Sequence, residues 1–143
     1  MKDRELSEWV ESYIAAQEAG GIDIDHPLWW PIQRFFDLMQ EQPNECWQAI
    51  LAVLDREPGE NVLGILGAGS LEDLIHEHGP AFIDRIEFEA RENPPFKALL
   101  TRVWESSTPD VWASRLLKYL PFPKRSPFTS RLEFMHSQPR QRN

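Results

Sequence analysis

The residues best suited to chemistry lie close together, between positions 67 and 79: Gly67-Ala68-Gly69-Ser70, then Glu72, Asp73, His76, Glu77 and His78. A glycine turn that opens a helix can cradle a phosphate, because first-turn N–H groups and the helix dipole favour anions. A P-loop, however, follows a strand and carries a Lys just after its last glycine. Neither feature occurs here, and Glu72 and Asp73 place negative charge where the phosphate would sit. The cluster therefore reads as structural. Gly67 and Gly69 make a tight interhelix turn that uses positive φ or close helix approach. Ser70 with Asp73 three residues on reads as a capping box, starting a short helix over 71–78 that stops at Gly79.

The other reactive side chains converge on nothing. His76 and His78 are two apart, whereas paired ligands on a helix sit four apart. Glu72 and His76 have that spacing, but two ligands are too few, so no metal is expected. Cys46 stands beside Trp47 among apolar neighbours and reads as buried rather than nucleophilic. No G-x-S-x-G elbow occurs, and nothing singles out two carboxylates as an acid/base pair. The expected list of catalytic residues and cofactors is empty. Trp29-Trp30 is a different kind of signal, since neighbouring residues on a helix cannot both face one core. Either one ring anchors a partner, or both fill space between different neighbours. Trp29, Trp30, Glu72 and Glu77 are the candidate partner-binding residues.

The elements that carry these residues are all helical. Leu6, Trp9, Val10, Tyr13 and Ile14 recur at helical spacing, with Asp3 as a cap and Gly20-Gly21 as the stop. A second helix is predicted from Pro27 to about Gln42, with Leu28, Ile32, Phe35, Phe36 and Met39 on one face. A third begins at Pro43-Asn44 and presents Trp47, Ile50, Leu51 and Leu54. Residues 60–66 form a short apolar turn or helix. Pro80 opens the next helix, with Phe82, Ile83, Ile86 and Ala90 inward, ending at Asn93-Pro94-Pro95. Phe96, Leu99, Leu100, Val103 and Trp104 give another stripe, and Thr108-Pro109 starts a last helix ending at Pro121. The fold class is all-α, with about seven to eight helices. Shifting the chain by 49 residues pairs Pro31 with Pro80, Asn44 with Asn93 and Leu51 with Leu100. That echo suits a short HEAT-like stack of hairpins, while the helices before it fall out of register and suit a compact bundle.

The chain has 143 residues and a net charge of −8. Residues 1–120 hold 22 acids and ten bases, an acidic helical domain; residues 121–143 hold five bases and one acid, a basic, Pro-containing tail. One cysteine forms no internal disulfide. The charged N-terminus is unlike a signal peptide, and no apolar run approaches the roughly 20 residues of a membrane span. A cytoplasmic location and no membrane partner are expected. An acidic body repels nucleic acid, leaving the tail as its one point of contact, and attracts basic partners.

The run Val62-Leu63-Gly64-Ile65-Leu66-Gly67-Ala68-Gly69-Ser70-Leu71-Glu72-Asp73-Leu74-Ile75, continued through His78-Gly79, Ile83 to Glu87, Ala90, Phe96 and Val103-Trp104, resembles a bacterial family of small Trp-rich helical domains of unknown function. The likeness covers about residues 27–105. It implies a small helical domain of bacterial origin and carries over no catalytic residue. The function expected from charge and class is a non-enzymatic protein-binding module, of the immunity or antitoxin type, that engages a more basic partner. One alternative is a small-ligand binder or enzyme using a cleft near Gly67–Glu72. Another is a regulatory scaffold whose basic tail contacts nucleic acid.

Overall fold

The computed structural model describes residues 2–103, and all of its regular structure is helical. Helix α1, Asp3–Ala19, begins after Lys2, so Asp3 sits in its first turn rather than capping it. It stops at Gly20 and Gly21, whose φ angles of 72° and 65° suit glycine alone. Helix α2, Trp30–Met39, starts later than Pro27, because the segment before it is occupied by turns; Pro31 lies in its first turn, where a missing N–H costs nothing. Helix α3, Pro43–Asp55, is the central element, packing against α1, α2 and helices later in the chain, and is followed by α4, Glu60–Leu66.

Helix α4 runs without a break through a π-helical turn, Gly67–Leu71, into α5, Glu72–Glu92. Gly67 and Gly69 are therefore helical residues rather than a turn, and neither has positive φ. Only Gly67 meets the expectation of close approach: a Cβ there would lie 2.8 Å from the Arg102 Cβ and 3.1 Å from the Leu99 carbonyl oxygen. A Cβ on Gly69 would meet nothing. Nor is Ser70 a cap, since the helix does not start at that point and its N–H groups already have helical partners.

The predicted stop at Gly79 is likewise a kink inside α5. Pro80 removes an N–H and crowds the carbonyl four residues back; His78 absorbs the bend with φ −137° and ψ 19°. Five separate helical rods thus stand among the described residues, the fifth being α6, Pro94–Leu100, whose first turn is capped by the Asn93 side chain accepting from the Phe96 N–H at 3.4 Å. Of the expected seven to eight, three merge into one rod, because the boundaries at Gly67–Ser70 and Gly79 fall inside it. The predicted helix from Pro109 and the division at residue 120 lie outside the described residues.

Packing favours the bundle over the stack, because α1 touches α2, α3 and α4 together. Trp9, Phe35 and Tyr13 form one aromatic cluster, with ring centroids 4.7 and 5.0 Å apart. Trp47 sits between Phe82 and Phe96 in a second. The buried Trp9 indole N–H donates to the Pro31 carbonyl at 2.9 Å, pinning α1 to the start of α2.

Candidate functional site

Helices α1 and α2 and the π-helical turn enclose a cleft of about 130 Å³, lined by Tyr13, Gln17, Ile32, Phe35, Phe36, Met39, Ile65, Gly69, Ser70 and Asp73. Tyr13 and Gln17 are four apart on α1 and share a face. Both hydrogen-bond through the Tyr13 hydroxyl, which also bonds the Ser70 side chain. Burial pushes the Tyr13 phenol up to about 12, against the smaller opposing pull of Ser70 and Gln17, so it stays a neutral hydroxyl. The buried Ser70 hydroxyl thus has its partner in Tyr13 rather than in a helix end. Asp73 is half-buried, and burial raises its carboxyl above the usual range; Glu77 adds to the rise and His76 opposes it. Phe36 and Ile65, 56% and 39% exposed, stand at the cleft and bring apolar surface to water.

A second concavity, broader and shallower at about 390 Å³, lies beside the start of α2 and is lined by Ile24, His26, Pro27, Trp29, Trp30, Gln33, Arg34 and Asp37. Its rings are held by neighbours. The Trp29 indole N–H donates to Gln33 Oε1 at 2.9 Å, and Gln33 Nε2 donates to Asp37 Oδ1 at 2.9 Å, a relay along one helix face. Arg34 lies 4.9 Å over the Trp30 ring and 5.6 Å from that of Trp9. Both Trp29 and Trp30 are half-buried, so each presents an edge to water. The loop before them is ordered by its own side chains: Asp23 accepts from the Asp25 N–H at 3.1 Å and His26 Nδ1 from the Leu28 N–H at 3.0 Å. At its apex, Ile24 is 72% exposed between two aspartates.

The family profile of DUF6869, a family of unknown function, matches residues 18–119. The chain belongs to this family. Comparison with curated proteins and with solved structures finds no match. The DUF6869 match takes in Trp29, Trp30, Ser70 and Asp73, whereas Tyr13 and Gln17 precede it.

Of the sequence candidates, the structure brings Ser70, Asp73 and Gly69 to one cleft and Trp29 with Trp30 to another. Gly67 is buried against α6 and takes part in neither. Glu77 is exposed and accepts from Gln40 Nε2 at 2.9 Å, which ties α5 to the end of α2. Glu72 lines neither concavity. Gln17, Ile24 and Asp37 escaped sequence reasoning; the i, i+4, i+8 run of Trp29, Gln33 and Asp37 was the available signal for the last. Cys46 is buried, its thiol pushed up to about 12 by burial and by Glu45, and its Sγ lies 3.7 Å from the Phe35 carbonyl oxygen. Among the described residues no group of three or more His, Cys, Asp or Glu could hold a metal ion, and no helix is long and apolar enough to cross a membrane.

Proposed function

We propose that the DUF6869 chain is a protein-binding module of the immunity or antitoxin type, and that the Trp29–Trp30 hollow with the Ile24 loop is its contact face. The observation that carries this reading is Ile24, a large apolar side chain held 72% exposed by an ordered loop between Asp23 and Asp25. Solvent exposure of such a residue offers the monomer nothing, whereas an apolar anchor beside fixed aromatic rings has the composition of an interface hot spot. Charge surrounds it: Asp23 and Asp25 flank Ile24, Asp37 lines the hollow together with Arg34, and the body holds 22 acids against ten bases over residues 1–120. Carboxylates around an apolar centre attract a basic partner from a distance and leave affinity to the anchor.

The test uses the full chain as bait in its native host, with Ile24→Asp as the control bait. A stoichiometric basic protein retained by the wild type and lost by the variant supports the reading. Association with that protein slows at least about tenfold between low and high salt, because a Debye length of about 8 Å screens exposed carboxylates, while dissociation changes far less. Equal capture by both baits, no stoichiometric partner, or salt-independent association removes it.

A further inference from the structure

The cleft at the π-helical turn shares no lining residue with the Trp29–Trp30 hollow. Its walls are apolar, from Ile32, Phe35, Phe36 and Met39 on α2 and Ile65 on α4. Its polar groups are the Tyr13 hydroxyl, Gln17, Ser70 and Asp73. Asp73 is the one lining residue that ionises at neutral pH, and no Lys, Arg or His lines the cleft. Among the described residues no Lys or Arg is ion-paired with it. His76 offsets the burial of this carboxylate only in part; a carboxylate half-removed from water costs free energy, and strained electrostatics of this kind concentrate at functional sites. The π-helical turn is a second mark of the same sort, since such turns interrupt α-helices frequently at functional positions. Gly69 leaves the wall bare where a side chain would meet no obstacle.

We infer that this cleft binds a primary alkylammonium group, with the stem against Phe35, Phe36, Met39 and Ile65 and the ammonium on the Asp73 carboxylate. The three N–H donors of an ammonium match the acceptors gathered there: Asp73, the Gln17 amide oxygen and the hydroxyl oxygens of Ser70 and Tyr13. The exposed Phe36 ring adds a face that attracts a cation. The size is right for a short stem. A dry cavity of about 150 Å³ admits benzene, so about 130 Å³ takes a four-carbon amine. Such a group comes either as a free amine or as the side chain of a lysine. The inference stands apart from the Trp29–Trp30 face, and either can fail alone.

The probe is n-butylamine, titrated at neutral pH and low salt into the ¹⁵N-labelled full chain. Saturable shifts are expected at the amides of Tyr13, Gly69, Ser70 and Asp73, with a dissociation constant on the order of 1 mM. Neutral n-butanol, of the same shape, binds at least about tenfold more weakly, a factor that corresponds to one lost charge contact. Asp73→Asn weakens the amine by at least about tenfold, whereas Ile24→Asp, in the other hollow, leaves it within about threefold. Should Asp73→Asn fail to fold, the amine-to-alcohol ratio on the unaltered chain decides. Nα-acetyl-lysine methylamide separates the sources: binding equal to n-butylamine assigns the cleft to a lysine of a partner, and exclusion assigns it to a free amine. No saturable shift, equal binding of n-butanol, or full binding by Asp73→Asn overturns the inference.

Discussion

Asp73 shows how one residue can trade stability for a site. Its carboxyl is raised, first by burial and then by Glu77, with His76 opposing; Tyr13 from α1 faces it as a neutral phenol, and α2 contributes apolar side chains alone to the cleft. A group whose folded value lies above its unfolded one stabilises the fold below the unfolded value of 3.8, and that contribution is lost as pH rises through the folded value. At pH 7 the charged Asp73 is therefore a burden, and Asp73→Asn raises Tm there; the gain shrinks as pH falls toward 3. Thermal melts across that range check it, and a lower Tm at pH 7 refutes it. The two glycines beside it separate just as clearly. Gly67→Ala forces a Cβ against Arg102 and the Leu99 carbonyl oxygen and costs about 1–3 kcal/mol. Gly69→Ala meets open space inside a helix and stabilises by about 0.5–1 kcal/mol. Urea melts of the pair give opposite signs.

At the scale of elements, the Pro80 kink has a use. By leaving helical geometry, His78 brings its ring to the end of α2, with Nε2 lying 2.7 Å from the Met39 carbonyl oxygen. A carbonyl can only accept, so Nε2 carries the hydrogen. The last carbonyls of a helix lack partners within it, and here α5 supplies one to α2. His78→Ala leaves that half-buried oxygen unpaired and costs about 1–3 kcal/mol; amide exchange quickens at the end of α2 while α6 is unchanged. Uniform acceleration across the described helices would assign His78 to general packing instead.

At the scale of the molecule, the fold is held by its apolar core. Two aromatic clusters and a central α3 connect the described helices, and the single cysteine of the chain is buried. Neither a chelator nor a reductant should move Tm, because no three-ligand group exists among the described residues and one thiol makes no internal crosslink. A drop of several degrees with EDTA would reveal a staple. Charge acts on encounter rather than on fold: at −8 the molecule repels its own copies and attracts basic ones.

The sequence by itself determined the helices that rest on local periodicity and punctuation. Trp9, Val10 and Tyr13 at helical spacing, the Gly20-Gly21 stop, the Pro43 start and the Asn93-Pro94 boundary all report interactions within a few residues, and all stand in the fold. Membership of the family was legible too, as a resemblance read over about residues 27–105, inside the 18–119 that the family profile matches. Gly67-Ala68-Gly69 and Gly79-Pro80 misled for the same reason: these residues end helices when nothing opposes them. Tertiary packing opposed them. Burying Leu66, Leu71, Leu74 and Ile75 in one core outweighs the roughly 1 kcal/mol that a helical glycine forfeits, and a π-helical turn keeps those side chains in register. Only that packing could set Tyr13 beside Ser70 and Asp73, 57 and 60 positions away in the chain. A cleft depends on which surfaces meet, and local spacing carries no information about that.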